Sequence, residues 1–158
     1  MMATNKQRIV ATAAIAASIA APCEGLRQWA YKDVTGLPTI CFGHVDTVKM
    51  GDFRTLPECK AMLTDEMIAT VEAVDKCHPG LPNSVLAAFS DAAYNLGTGV
   101  ACDRSRTAAQ YLYRGNLLEA CNALTMYNKA RVAGVLVALP GLTKRRAIEK
   151  DICLKGLS

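Results

Sequence analysis

The chain has 158 residues, of which 51% are apolar and 20% charged. That balance fits one globular domain around one core and excludes a disordered or fibrous chain. The formal net charge of +4 suits a polyanionic partner, and bacterial cell wall and nucleic acid both qualify. No nucleic-acid-binding motif occurs, and three Phe, one Trp and five Tyr are few for base stacking, so no nucleic-acid partner is expected. Two histidines, His44 and His78, and seven cysteines without a Cys-x-x-Cys pair give no zinc-ligand spacing. Neither a metal nor a cofactor is expected. So many cysteines point instead to disulfides in an oxidising compartment, and an odd number leaves at least one thiol over.

Residues 1–8 are polar and include Lys6 and Arg8. Ile9 to Cys23 is uncharged, with seven Ala, three Ile and one Val. A basic start before an apolar run is the pattern of an export signal. As a helix the run would span roughly 22 Å, short of the roughly 30 Å hydrocarbon core, so it is a poor permanent anchor. It reads as a cleaved signal, as an uncleaved, weakly held signal-anchor, or as the domain's first helix with Ile15 and Ile19 on its core face. Cleavage would fall beside Glu24 and remove its supporting helix, which favours the uncleaved segment.

Glu24 to His44 contains two acids in different settings. Glu24 ends the apolar run, where partial burial would raise its pKa and keep it protonated. Asp33 lies in a polar turn near Thr35-Gly36-Leu37-Pro38, where it should stay ionised. An acid and a base on two carboxyl groups can cleave a glycosidic bond. Thr39, at the start of the short run Ile40-Cys41-Phe42, offers a hydroxyl to hold a water beside Asp33. By spacing alone, both acids read more readily as ordinary surface charges. Residues 24–55 hold most of the glycine and turn signals and predict a small two- or three-stranded sheet.

Thr55-Leu56-Pro57-Glu58 is a capping box that starts a helix to about Cys77. Cys59, Leu63, Met67, Val71 and Val74 give it one buried stripe. A second helix is predicted from about Asn83 to Leu96 and is apolar enough to lie in the core, with Gly97 as C-cap. Shorter helices follow from about Arg104 to Tyr113 and from Asn116 to about Met126. Residues 127–140 read as loop, and the last helix runs from about Gly141 to Leu154.

Glu-Gly-Leu-Arg…Ala-Tyr-Lys-Asp…Gly-x-Pro-Thr-Ile-x-x-Gly-His, over residues 24–44, resembles the active-site signature of the phage-type lysozymes, the endolysins of glycoside hydrolase family 24. Ala92-Ala93-Tyr94-Asn95-Leu96-Gly97 resembles the family's central-helix motif. Gly141-Leu142-Thr143-Lys144-Arg145-Arg146…Glu149…Cys153 resembles its C-terminal motif. The three fall in family order and cover roughly residues 23–155. The chain departs at Val45, where Thr is common, and lacks the usual Trp and Gly-Gly in 127–140.

The resemblance implies a mostly helical α+β fold, lysozyme-like, with a small β lobe over 24–55 and a larger helical lobe over 56–158, residues 1–22 forming the export segment or first helix. It implies hydrolysis of the β-1,4 bond between N-acetylmuramic acid and N-acetylglucosamine of peptidoglycan, in the periplasm of the host, by a monomer. Glu24 would be the acid, Asp33 the base or charge stabiliser, and Thr39 would position water. An arginine would brace Glu24, and Arg146 fits the family position better than Arg145. Asn95, Tyr94 and Tyr31 would line or support the cleft, His44 would be structural, and Trp29, near Glu24, would line the sugar cleft or, the favoured reading, pack beneath it. Some similar endolysins use a signal-arrest-release segment, and residues 9–22 would then associate transiently with the inner membrane. The alternatives are a lytic transglycosylase, which would lack the second carboxylate, and a non-catalytic wall-binding protein on a lysozyme fold.

Cys41 and Cys59 flank the small lobe, Cys77 and Cys102 the central helix, and Cys121 and Cys153 the last two helices. Pairing in that order leaves Cys23 free beside Glu24, where a bond formed or exchanged would displace the acid as a redox control. Other connectivities fit the sequence equally.

Overall fold

The computed structural model describes residues 3–158; Met1 and Met2, at the start of the expected export segment, lie outside the described residues. Helix α1 (Asn5–Glu24) starts at a capping box, in which Thr4 accepts from the Gln7 backbone and the Gln7 side chain returns the bond. It runs without a break through residues 22 and 23. Ile9, Thr12, Ala13, Ala16, Ile19 and Ala20 form its buried stripe. Ile15, expected on that face, is instead 38% exposed. The core is met at i, i+3 and i+4 from Ile9 and Ala16, which turns Ile15 outward. No helix among the described residues is long and apolar enough to cross a membrane.

Strands β1 (Arg27–Lys32) and β2 (Pro38–Cys41) form an antiparallel hairpin. Single bridges join Trp29 to Phe53 and Ile40 to His44, which closes the small lobe. Helix α2 (Leu56–Cys77) starts at its Thr55–Glu58 capping box and buries Cys59, Leu63, Met67, Val71 and Val74. Helix α3 (Asn83–Leu96) buries nine consecutive residues, Val85 to Ala93. It packs against α1, α2 and the last helix, so it is the centre of the larger lobe.

Three short helices follow: α4 (Gly99–Cys102), α5 (Thr107–Tyr113) and α6 (Leu117–Ala123), with a 3-10 turn at Leu124–Met126. Residues 127–140 are not a plain loop. They hold a second hairpin, β3 (Lys129–Val132) with β4 (Val135–Ala138). Its two-residue turn places Ala133 at φ 50° and Gly134 at φ 81°, the doubly positive backbone of a type I′ turn. The run Val135–Ala138 has no polar alternation because both its faces are exposed, so the sequence carries no period of two. Helix α7 (Pro140–Lys155) closes the fold.

Disulfides join Cys41 to Cys59, Cys77 to Cys102 and Cys121 to Cys153. The first ties the sheet to α2, the second α2 to α4, the third α6 to α7. Cys23 is free. The Cys121–Cys153 loop is the longest, closing 32 residues of separation. Replacing both cysteines by Ala should cost about 2–4 kcal/mol through a looser unfolded state, read as a lower denaturant midpoint with a larger m-value.

Candidate active site

Glu24 is the last residue of α1, and Gly25 turns the chain out of the helix at φ 73°. Chain direction then sends β1 away, so Glu24 stands where the two lobes meet. A Cβ added to Gly43, after β2, would lie 4.0 Å from Glu24 Oε2. That is ordinary contact, so it is the φ of 91° rather than crowding that favours glycine there.

The partner of Glu24 is Arg145, not Arg146. Arg145 Nη1 donates to Glu24 Oε1 at 2.7 Å, with side-chain exposures of 4% and 25%. The acid is therefore held by a cation rather than by the apolar wall that its place in the sequence suggests. Arg145 is itself held from behind. Its Nε and Nη2 donate to the two oxygens of Asp91 at 2.9 and 2.8 Å. This bidentate fork fixes the guanidinium plane. Burial disfavours the Arg145 charge, but hydrogen bonds and charge from Asp91 and Glu24 outweigh it and hold its pKa above the ordinary value.

Arg146 points the other way along α7. Its Nη2 donates to Asn95 Oδ1 at 3.0 Å and to Glu149 Oε1 at 2.7 Å, in a region closed to solvent. Burial first, and then the neighbouring Asp91 carboxyl, push the Glu149 carboxyl up to about 10. Its Oε2 receives no donor, as suits the protonated oxygen of a neutral acid. Asp91 is fully buried and engages Arg145 alone.

Asp33 is in the opposite situation. It opens the β1–β2 loop, where Asp33 N–H donates to Leu37 O. Its Oδ1 accepts from Thr35 N–H at 2.8 Å, Thr35 Oγ1 at 2.6 Å and Leu37 N–H at 3.0 Å. The Thr35 hydroxyl first, then the Leu37 amide, hold its pKa below the usual value. All three bonds use Oδ1, so Oδ2 is free. Strand alternation puts Tyr31 and its partner Thr39 on one face, and Asp33 follows two residues after Tyr31.

Thr39 differs from the expectation of an open, water-holding hydroxyl. It is 3% exposed, and Oγ1 donates to Leu37 O at 3.0 Å. Leu37 O also accepts from Asp33 N–H, and Leu37 N–H donates to Asp33 Oδ1, so Thr39 reaches the acid through a single residue, Leu37. Tyr31 lies under the Arg27 guanidinium, 4.3 Å from ring centroid to Cζ. Trp29 does not pack beneath the cleft. It is 65% exposed and leans on Phe53 with centroids 4.9 Å apart. His44 Nδ1 pairs with Glu66, whose Oε2 accepts from Tyr94 OH at 2.9 Å. This chain ties the small lobe to α2 and α3. Burial, then the Glu66 charge, keep the Tyr94 phenol protonated well past its ordinary range.

A cavity of about 530 Å³ adjoins Glu24, lined by Pro22, Cys23, Asn95, Leu139, Leu142 and Arg145 among others; it does not include Asp33. Cys23 faces it as a thiol, since burial pushes its pKa up, with Arg145 only partly offsetting this. No group of His, Cys, Asp and Glu among the described residues is arranged to hold a metal.

Asp91 was not singled out from the sequence. Its signal was there: it is the one charged residue between Asn83 and Leu96, and an acid in an otherwise apolar buried helix must have a partner.

The phage lysozyme family model matches residues 21–149. The SAR-endolysin of Pseudomonas phage phiKMV is 36% identical over 149 residues, covering 92% of this chain and 91% of that protein. Among solved structures, the endolysin from Escherichia coli O157:H7 phage FAHEc1 superposes with a TM-score of 0.77 at 30% identity, covering 89% of this chain and 90% of its own. The muramidase domain of SpmX from Asticaccaulis excentricus gives 0.79 at 26% identity, covering 88% and 94%. The chain belongs to the phage lysozyme family. It is a glycoside hydrolase, a muramidase of the endolysin kind, and its substrate is peptidoglycan.

The proton on Glu149 makes the fold pH-sensitive. Its carboxyl titrates near its ordinary 4.5 in the unfolded chain and near about 10 in the fold. Between these values the native state keeps a proton that the unfolded state has released, so the group's stabilisation fades as pH rises. Glu149→Gln keeps the shape without the proton. Its melting temperature relative to the parent should therefore rise between about pH 5 and pH 9, in thermal unfolding followed by circular dichroism. A flat difference would show Glu149 to be ionised in the fold.

Proposed function

We propose that Glu24 is the general acid that protonates the glycosidic oxygen between N-acetylmuramic acid and N-acetylglucosamine, and that Asp33 activates the attacking water. The observation that carries this reading is the contrast between the two carboxyl groups. Glu24 is fixed at the end of α1 by an arginine that is itself clamped to Asp91. Asp33 stands on an exposed loop, with one oxygen engaged and the other free. A positioned acid and an ionised base on separate elements leave room for water between them, and attack from the far face inverts the anomeric carbon. Two carboxyl groups and a water suffice for this chemistry.

Thr39 positions Asp33 rather than touching the sugar. Its hydroxyl fixes Leu37, which in turn fixes Asp33. Arg146 and Asn95 clamp α7 to α3 and so hold Arg145 in place; Tyr31 forms the cleft wall beside Asp33. The enzyme acts as a monomer on the periplasmic peptidoglycan of a bacterial host and lyses it. Residues 9–22 serve first as an uncleaved export segment at the inner membrane and then fold as the body of α1, with residues 23–158 as the lysozyme domain. A disulfide exchanged at Cys23, beside Glu24 and facing the same cavity, would turn the acid out of place.

Glu24→Gln should lower peptidoglycan clearing at least about 10²-fold, the usual contribution of a general acid, with a reducing-end muramic product from the parent enzyme. An anhydro-muramic product would mean transglycosylation. Undiminished clearing would remove Glu24 from the chemistry.

Thr35→Ala tests Asp33 without removing it. The Thr35 hydroxyl is the largest cause of the lowered Asp33 pKa, so its loss lets the carboxyl protonate at higher pH. Because the base must be ionised, the acid limb of the kcat/KM profile should move upward in pH. An unmoved limb would assign the limb to another group.

A further inference from the structure

The β3–β4 hairpin stands outside the core. Every residue of β4 is exposed, and so are all of β3 except Ala130, which is half-buried. Its base alone is fastened: Leu139 N–H donates to Asn128 O at 3.0 Å, and Asn128 Nδ2 donates to Thr143 Oγ1 at 3.1 Å. Four exposed aliphatic side chains on such an arm need an explanation, because isolated two-stranded hairpins gain little from such residues in water.

The register sorts the side chains. Paired residues in an antiparallel ladder share a face. Val132 pairs with Val135 and Ala130 with Val137, so one face is Ala130, Val132, Val135 and Val137. Arg131 pairs with Leu136 and Lys129 with Ala138, so the other carries both cations. The first face is wholly aliphatic, with Val132 50%, Val135 62% and Val137 39% exposed. The hairpin is thus amphipathic, apolar on one side and basic on the other.

The surrounding sequence has one sign. From Cys121 to Ile148 there is no Asp or Glu, while Lys129, Arg131 and Lys144 are exposed. We infer that this hairpin is a lipid-docking arm, whose aliphatic face enters the interface of an anionic bilayer while Lys129, Arg131 and Lys144 reach its phosphate headgroups. The face has no aromatic ring and no hydrogen-bonding side chain, so it offers a glycan strand neither stacking nor polar recognition. A second copy would bring the same uncompensated cations against each other. An anionic lipid surface satisfies both faces at once: aliphatic groups leave water, and long basic side chains reach outward. The arm is separate from the membrane role proposed for residues 9–22.

The test is co-sedimentation of the full chain with vesicles of phosphatidylethanolamine and phosphatidylglycerol, against vesicles of phosphatidylcholine alone. The parent should bind the anionic vesicles and bind the neutral ones weakly. Lys129→Glu with Arg131→Glu should weaken binding by at least about 25-fold, at about fivefold for each surface cation lost. Val135→Ser with Val137→Ser should remove most of the binding on both lipids. Both pairs are exposed, so their melting temperatures should match the parent's and folding is not at issue. Three results would overturn the inference. The parent fails to bind; both pairs bind as the parent does, which assigns the binding to α1; or the parent self-associates in sedimentation velocity and loses this with Val135→Ser and Val137→Ser, making the face a contact between copies. Clearing of isolated peptidoglycan reads the catalytic assignment separately, since no vesicle is present in that assay.

Discussion

The Asp91–Arg145–Glu24 chain is the constraint on which the structure depends. It takes one residue from each of α3, α7 and α1, the helices at the centre of the larger lobe. Arg145 can meet Glu24 at 2.7 Å only while both its other nitrogens are engaged by Asp91. An unclamped arginine has several rotamers and would order only at a cost in entropy. The clamp removes that freedom before substrate arrives, and what remains is a carboxyl group whose position is set by helix packing rather than by loop conformation. Asp33 is positioned by different means. Three donors converge on one oxygen within a five-residue loop, which orders the acid locally and leaves its other oxygen to solvent.

Helix α1 meets two demands with one composition. Half of its buried stripe is Ala, with Thr12 between and Ile9 and Ile19 as the larger groups. Small side chains let α1 lie close on α2 and α3 and bring Glu24 into reach of α7. They also make the segment weakly apolar, without enough hydropathy to span a bilayer as a stable helix. A leucine-rich version would hold to a membrane better but would be too wide for the groove that now receives it.

Much of this was legible before any coordinates. The α2 capping box and its five-residue stripe announce a helix with one face inward, and α3 is apolar all round because it is surrounded. The two acids are set apart only by the family resemblance, since by spacing alone they read as surface charges. Three things were not legible, each for a physical reason. The choice between Arg145 and Arg146 rests on roughly 100° of rotation about α7, which adjacent sequence positions do not settle. Trp29 is exposed because the bulge between Arg27 and Tyr31 shifts the register of β1, and alternation is the only signal a sequence offers there. The hairpin at 129–138 shows no alternation because neither face is buried, and its Ala133-Gly134 turn lacks the Asn-Gly or Asp-Gly pair that marks such turns.

The buried charges are poor stabilisers, and that is informative. Taking Arg145, Arg146 and Asp91 out of water costs several kcal/mol for each ion, and their mutual attraction returns this only with full hydrogen bonding. Full bonding is not reached: Arg146 Nε and Nη1 have no acceptor. An aliphatic core of equal volume would serve stability as well or better. What it could not do is hold a guanidinium against a carboxyl group at the end of α1. The three disulfides fit this account. They use none of the cluster's own residues, although Cys153 lies one turn of α7 from Glu149, and their contribution comes through the unfolded chain. Stability is thus supplied where geometry is undemanding, which lets the centre carry a polar assembly whose purpose is position.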